Sequence, residues 1–144
     1  MWTKGGKPML EKTLVEQTKQ TAAKLFGGPV RLKVPYELWK EFDPGLARDL
    51  SLFITGNLYS RTVLSLPERQ LVAVSALAAL QKTEELRLHI HGALNVGVKP
   101  RHVAEAIFQV GVYAGFPVVN AALAVLKDVL LERGQWPPHS DEET

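Results

Sequence analysis

The stretch EELRLHIHGALNVGVKP, residues 84–100, combines a helical segment that carries two histidines with a turn of small residues before a proline. Thr83 is a suitable N-cap for this helix, and two glutamates follow in its first turn, where the helix dipole favours negative charge. The pattern predicts a helix to about Asn95 and a left-handed stop at Gly97, with a further helix from Pro100.

The same 3.6-residue spacing recurs along the rest of the chain, and no segment alternates with period two as a strand would. Ser65 and Glu68 fit a capping box at the start of an apolar helix, with a proline in the first turn. Segment 30–44 is predicted to be irregular, with room for one or two helical turns. We therefore predict an all-α fold whose other helices cover Leu10–Phe26, Gly45–Asn57, Pro100–Ala114 and a segment from Pro117 onward.

Two helices are apolar around most of their circumference. The helix after Ser65 is expected to lie at the centre of the domain, because a helix apolar on nearly every side needs cover all round. The segment VVNAALAVLKDVLL, residues 118–131, is similarly apolar. One modest domain cannot easily cover it, so we expect a second copy of the chain to do so.

Composition limits the functions that this chain can have. It has 144 residues, 46% of them hydrophobic, which suits one domain with a real core, predicted over residues 1–134, followed by a flexible acidic tail over 135–144. A net charge of +2 without a basic stripe argues against nucleic acid, and the absence of cysteine excludes thiol chemistry. No signal peptide or membrane span is indicated, so we expect a cytoplasmic protein without a membrane partner.

Glu85 and His89 stand one helical turn apart, so their side chains can meet on one face. A carboxylate beside an imidazole orients the ring and raises its pKa, which suits a general acid or base near neutral pH. The alternative is a solvent-exposed pair that contributes little to stability. His91 lies about 200° around the helix from His89, and no third ligand is suggested, so no metal site is predicted.

Three segments resemble the carboxymuconolactone decarboxylase family, which includes the alkylhydroperoxidase D proteins. They are RQLVAVSALAAL, EELRLHIHGALNVGV and EAIFQVGVYAGFPVVNAAL, within a family-like core from about residue 58 to residue 132. The resemblance implies a compact all-helical domain that assembles into trimers or hexamers, with small-molecule pockets between helices near subunit contacts.

The family's peroxidase branch carries a Glu on one helix before a Cys-x-x-Cys-x-x-x-His motif. On this chain the motif's histidine falls on His89, but its glutamate falls on Gln70 and its cysteines on Lys82 and Glu85. A thiol peroxidase without a thiol has no nucleophile, so that activity is excluded.

The decarboxylase branch also lacks the thiols and has a similar segment, so the resemblance carries over Glu84, Glu85, His89 and Asn95. It implies loss of CO₂ from a small acidic or lactone-like molecule without a cofactor, with His89 as the acid–base group and Glu85 as its orienting partner. Gln109 and Val96 replace a His and an Asn that many members have. The residues expected to line the substrate pocket are Gln70, Asn95, Gln109 and Tyr113, with Arg69 or Arg61 neutralising an acidic substrate.

A second hypothesis is a non-catalytic homo-oligomer that keeps the family scaffold and binds a ligand or partner. In that case His89 is a hydrogen-bonded structural residue at a subunit contact. The two hypotheses differ in one structural feature, because a catalytic histidine needs a cleft that reaches it, whereas a structural one needs only a bonded partner.

The apolar C-terminal helix leads to a prediction about assembly. Sedimentation or light scattering is expected to show a homo-oligomer, a trimer or a hexamer. A stable monomer at micromolar concentration would contradict this interpretation of the helix.

Overall fold

The computed structural model describes residues 7–138, and within this range every regular element is helical. The prediction of an all-α fold is therefore confirmed. Seven α-helices and one π-helix follow one another along the described chain. They are α1 (Lys7–Phe26), α2 (Pro35–Phe42), α3 (Pro44–Ser51), the π-helix (Leu52–Leu58), α4 (Leu66–Ala79), α5 (Thr83–Asn95), α6 (Pro100–Ala114) and α7 (Phe116–Glu132).

The hydrophobic core lies among the four C-terminal helices. Helix α4 packs on α5 and α6, while α7 packs on α5 and α6. Each helix contributes apolar residues three, four or seven positions apart, so one face of each helix points inward. The buried members are Val74, Ala78, Leu86, Ile90, Ala93, Val98, Val103, Ile107, Val110, Val119, Ala122, Leu126, Val129 and Leu130.

Helix α5 takes the central position that the sequence assigned to α4. It contacts α1, α4, α6 and α7, and six of its residues are buried. Helix α4, by contrast, buries only three of its residues and leaves Val72 more than 60% exposed. The expectation for α4 is wrong because small alanines fill much of its sequence, and this chain covers only one side of the helix.

The N-terminal elements form a layer that packs onto α5 through α1. Helix α1 contacts both α5 and the π-helix, and α2 packs on α3. Segment 30–44, predicted to be irregular, contains α2, whose two turns begin at Pro35. The single helix predicted over Gly45–Asn57 is present as α3 followed by the π-helix, so the helical register widens at Leu52.

Helix starts and stops agree with the sequence in most places. The Ser65 hydroxyl accepts from the Glu68 backbone N–H at 3.3 Å, and the Ser65 N–H donates to the Glu68 carboxylate at 2.7 Å, which confirms the capping box. Gly97 has φ +93°, as a left-handed stop requires. The N-cap assigned to Thr83 is wrong, since Thr83 is already helical and Lys82 precedes it without a side-chain cap.

The apolar residues of α7 are mostly covered within this chain. After Phe116, its exposed first residue, the outward stripe of α7 consists of small, polar or charged side chains together with Leu131. Larger exposed apolar groups lie on and just after α6, where Phe108, Val112 and Phe116 follow one another at four-residue spacing. The expected assembly of several copies remains a prediction. For contacts between copies, the exposed surface of α6 is more apolar than that of α7.

None of the helices within residues 7–138 is long and apolar enough to cross a membrane. The chain after Glu132 is irregular up to Pro138. The rest of the predicted acidic tail, residues 139–144, lies outside the described residues.

The capping box can be tested by one substitution. Replacing Ser65 with alanine leaves the first-turn N–H groups of α4 without their side-chain acceptor. We expect the free energy of unfolding to fall by about 1 kcal/mol, measured by urea denaturation. Thr62→Ala, in the exposed loop just before, is the control and should cause little change; equal stability of both variants would contradict the assignment.

Candidate functional site

His89 is held by a buried glutamine on the neighbouring helix. The Oε1 atom of Gln70, on α4, lies 2.9 Å from Nδ1 of His89, on α5. Gln70 is fully buried and directs its amide oxygen toward the ring. With the amide oxygen in this position, Nδ1 carries the proton and donates to it. Nε2 is then the ring nitrogen available to another molecule.

The backbone of α5 makes room for this contact. A Cβ atom on Gly92 would lie 3.0 Å from Oε1 of Gln70, closer than such atoms normally approach. Glycine at this position therefore allows the Gln70 amide to lie flat against α5 and to reach the His89 ring one turn earlier.

Two aromatic rings flank the imidazole. Tyr59, the residue just after the π-helix, stacks on His89 with a centroid distance of 6.5 Å and an interplanar angle of 28°. Phe26 meets the ring edge-on, at 6.3 Å and 80°. Burial raises the pKa of the Tyr59 phenol, while the charge of Arg69 and the nearby Gln70 amide act in the opposite direction. Tyr59 is therefore a neutral phenol at neutral pH.

A cavity of about 340 Å³ opens beside His89, between α5 and the N-terminal layer. Its wall is mainly apolar and aromatic, and its polar groups are the His89 ring and a few hydroxyls. The lining residues are Ala22, Leu25, Phe26, Val34, Pro35, Tyr36, Trp39, Ser51, Ile54, Thr55, Tyr59, Leu88 and His89. A catalytic histidine needs a cleft that reaches it, and this cavity provides one for His89.

Burial lowers the pKa of the His89 imidazole below its ordinary value, and the negative charge of Glu85 opposes this effect. Since burial is the larger cause, the ring is neutral at pH 7 in the free protein. The prediction that Glu85 orients the ring is wrong. The Glu85 side chain is exposed and acts on His89 through its charge, whereas the hydrogen bond to the ring comes from Gln70.

Of the residues predicted to bind substrate, Gln70 alone touches His89, through the ring nitrogen Nδ1. The wall of the cavity contains none of the five predicted residues, Gln70 included. Gln109 and Tyr113 are exposed on α6. Arg69 donates to the Arg61 carbonyl at 3.1 Å. A shared pocket of these residues with His89 is therefore not formed within this chain, and their binding roles stay predictions.

Asn95 has a structural role. Its Nδ2 donates to the carbonyl of Leu25 near the end of α1 at 2.6 Å, and its Oδ1 accepts from Arg133 at 2.9 Å. These bonds tie the ends of α1 and α5 to the chain that follows α7. Gly28 belongs to the same junction, because a Cβ there would lie 2.1 Å from Oδ1 of Asn95.

The second histidine of α5 is structural too. His91 is fully buried, with Nδ1 3.4 Å from Nη1 of Arg133 and Nε2 3.5 Å from the Glu132 carboxylate. Glu132 also pairs with Arg87. Burial lowers the pKa of His91, and the charges of Arg87 and Arg133 lower it further. A neutral ring that joins α5 to the end of α7 explains this histidine without any ligand.

No group of three or more His, Cys, Asp or Glu side chains within residues 7–138 is arranged to hold a metal ion. His89 and His91 point to different neighbours, as their separation around the helix predicted. Among the described residues, His89 is therefore the candidate for the chemically active group of the cavity.

Sequence reasoning missed most of the cavity wall. The aromatic pair Tyr36 and Trp39, three residues apart on α2, faces the cavity from a segment that was predicted to be irregular. The signal was present, because apolar residues at a three-residue spacing after Pro35 are typical of a short amphipathic helix. Tyr59 had no such signal, since the π-helix changes the register on which its position depends.

The electrostatic assignment of Glu85 leads to a direct test. Glu85→Gln removes a negative charge that stabilises the imidazolium form, so the pKa of His89 is expected to fall further. An NMR titration of the ring protons measures it. Glu84→Gln, which removes a neighbouring carboxylate from a different helix face, is the matched control; an unchanged or raised His89 pKa in Glu85→Gln would contradict the assignment.

Comparison with known proteins agrees with the arrangement of α3 to α7. The model of the carboxymuconolactone decarboxylase family matches residues 44–128, beginning upstream of the family-like core predicted from residue 58. The chain is 33% identical over 97 residues to 4-carboxymuconolactone decarboxylase of Acinetobacter baylyi, covering 67% of this chain and 72% of that protein.

Two further relatives are more distant. An uncharacterized 15.0 kDa protein of Paracoccus denitrificans is 28% identical over 94 residues, covering 64% of this chain and 70% of that protein. The nitrosuccinic acid decarboxylase of Metarhizium robertsii is 27% identical over 84 residues, covering 56% and 59% respectively. With more than half of its length matched by the family model and a relative above 30% identity, the chain belongs to the carboxymuconolactone decarboxylase family.

Proposed function

We propose that this protein is a cofactor-independent decarboxylase in which His89 supplies acid–base chemistry to a small carboxylic acid. The observation that carries the proposal is the position of the His89 ring. Its Nδ1 is held by the buried Gln70, and the ring forms part of the wall of a cavity large enough for a small molecule.

The proposed reaction begins with a neutral imidazole. A substrate carboxylate that enters the cavity places a negative charge beside the ring, which favours uptake of a proton from solvent at Nε2. The ring is then an imidazolium, with Nδ1–H directed to Gln70 and Nε2–H directed to the substrate. Gln70 accepts from Nδ1 in both protonation states, so the ring does not need to turn when its charge changes.

In the next step the bond between the carboxylate carbon and the α-carbon breaks. Its electron pair moves to the α-carbon and onto an adjacent electron-accepting group, such as a carbonyl, lactone or nitro group, and CO₂ is released. The Nε2 proton of His89 is transferred to the α-carbon, which leaves a product with one carboxylate fewer and a neutral ring. No net oxidation or reduction occurs, so the step needs no electron carrier.

The surroundings of the ring suit this step. The negative charge of the starting carboxylate is concentrated on two oxygens, whereas the charge of the transition state is spread over a larger group. An apolar wall of aromatic and aliphatic side chains, which solvates a concentrated charge poorly, therefore favours the loss of CO₂.

The named relatives support the same reaction class. One is called a 4-carboxymuconolactone decarboxylase and another a nitrosuccinic acid decarboxylase. A lactone and a nitro group are both able to accept the electron pair that CO₂ leaves behind. We infer that this chain acts on an acid that carries such a group next to the carbon bearing its carboxylate.

The proposal is tested by CO₂ release from a panel containing carboxymuconolactone, nitrosuccinate and benzoylacetate. On any acid that the wild type consumes, His89→Asn is expected to lower kcat/KM by about 100-fold or more, because proton transfer by a positioned side chain contributes at least this much. His102→Asn changes an exposed histidine of α6 and should keep full activity.

Circular dichroism of His89→Asn separates loss of catalysis from loss of fold. A folded variant with wild-type turnover would remove His89 from the reaction. A wild type that consumes none of the acids would instead favour the alternative, a scaffold that binds ligands without turnover.

A further inference from the structure

Two buried nitrogen atoms near Tyr59 have no hydrogen-bond partner. They are Nε of Arg69 and Nε2 of Gln70, which belong to neighbouring residues near the start of α4. A third such atom within the described chain, Nε2 of His91, faces the Glu132 carboxylate at 3.5 Å. Because a buried N–H without an acceptor costs free energy, the two donors of α4 are unusual and suit a ligand that supplies the acceptor.

The guanidinium of Arg69 is also a positive charge without a counterion. Among residues 11–138 no carboxylate pairs with it, and the carboxylate of the preceding Glu68 accepts instead from the Ser65 N–H at 2.7 Å. Nη2 of Arg69 donates to the Arg61 carbonyl at 3.1 Å, which anchors the group while Nε keeps its capacity to donate. The acceptor that best fits a partly buried cation is an anion.

Both donors lie close to the phenol of Tyr59. Burial raises the pKa of this phenol, whereas the charge of Arg69 and the nearby amide of Gln70 lower it. The amide is close to the phenol without donating to it. Tyr59 lies in the wall of the cavity beside His89 and also in the wall of an open groove of about 580 Å³. Its O–H is a third donor at the same place.

Gln70 and Tyr59 connect these donors to His89. The Oε1 atom of Gln70 accepts from Nδ1 of His89 at 2.9 Å, and Nε2 belongs to the same amide. The ring of Tyr59 stacks on the imidazole with a centroid distance of 6.5 Å. The donors are therefore separated from the imidazole by one amide and one aromatic ring, close enough for one small molecule to reach both.

We propose that Arg69, Gln70 and Tyr59 form an anion subsite next to the cavity, which binds the second carboxylate of an acid whose first carboxylate lies at His89. The oxygens of the second carboxylate accept from the Arg69 Nε–H, the Gln70 Nε2–H and the Tyr59 O–H, and their charge pairs with the guanidinium. Both nitrogens are shielded from solvent in the free chain, so the Tyr59 ring turns toward the groove when the ligand enters.

The inference rests on the proposed function in placing the first carboxylate at His89, and it names the preferred substrates as small acids with two carboxylates. One carboxylate is lost as CO₂, and the other is held by the anion subsite throughout the reaction. The preference for two carboxylates is a property of binding, so it is measurable without turnover.

The test uses two ligands that differ by one carboxylate. Phenylsuccinate and 3-phenylpropionate share the phenyl ring and chain, and phenylsuccinate adds a carboxylate on the carbon that carries the ring. By isothermal titration calorimetry with the full chain at pH 7, phenylsuccinate is expected to bind about tenfold more tightly or better, because hydrogen bonds to charged groups contribute this much. Equal or weaker binding of phenylsuccinate, or no binding of either ligand at millimolar concentration, would overturn the proposal.

Two arginine variants locate the second carboxylate. Arg69→Gln is expected to abolish the preference for phenylsuccinate and to keep the affinity for 3-phenylpropionate, which shows that the variant is folded. Arg61→Gln removes the same charge from the groove and keeps the backbone carbonyl that Arg69 binds, so it should retain the preference. A preference that survives in Arg69→Gln, or one lost equally in Arg61→Gln, would contradict the assignment.

Tyr59→Phe provides a second test should Arg69→Gln bind neither ligand. It removes one donor and keeps the ring that stacks on His89, so phenylsuccinate is expected to bind about fivefold more weakly, with 3-phenylpropionate little affected. An unchanged affinity for phenylsuccinate would count against the subsite. The outcomes are separable from those of the proposed function. A chain that prefers phenylsuccinate but releases no CO₂ fails only the proposed function, and a decarboxylase that binds the two ligands equally fails only the present inference.

Discussion

The hydrogen bond between Gln70 and His89 joins α4 to α5 at the wall of the cavity, and the chemistry assigned to this protein depends on it. A buried amide is uncharged, so it fixes the ring without adding the desolvation cost of a carboxylate. It also leaves the pKa of His89 under the control of burial, with Glu85 as a smaller opposing influence. The result is a neutral base in the free protein that an incoming anion can convert to an acid.

The rest of the fold keeps this contact in place. The core of α4 to α7 fixes the two helices relative to each other, and Gly92 allows the amide to approach the backbone of α5. The bonds of Asn95 to the end of α1 hold the N-terminal layer against α5. Because that layer forms most of the cavity wall, Asn95 helps to hold the cavity together although it is not part of the lining.

The sequence predicted correctly those features that depend only on residues close together in the chain. The capping box at Ser65 and the limits of α6 follow from hydrogen-bonding and proline rules that operate within one turn of helix. The position of His89 followed from the family resemblance. The resemblance also laid the glutamate of the peroxidase branch on Gln70, but the spacing of Glu85 and His89 within one helix favoured Glu85 as the partner. Gln70 approaches from another helix across a buried contact, which spacing along one helix does not reveal. Similarly, Tyr36, Trp39 and Tyr59 reach the site only through tertiary contacts of α2 and the π-helix.

The tautomer of His89 tests the central claim most directly, and ¹⁵N chemical shifts of the ring nitrogens in the free, folded protein report it above the pKa of the ring. The account predicts a protonated Nδ1 and an unprotonated Nε2, with this bias lost in Gln70→Leu. A wild-type ring protonated at Nε2, or one whose tautomer is the same with and without Gln70, would contradict it.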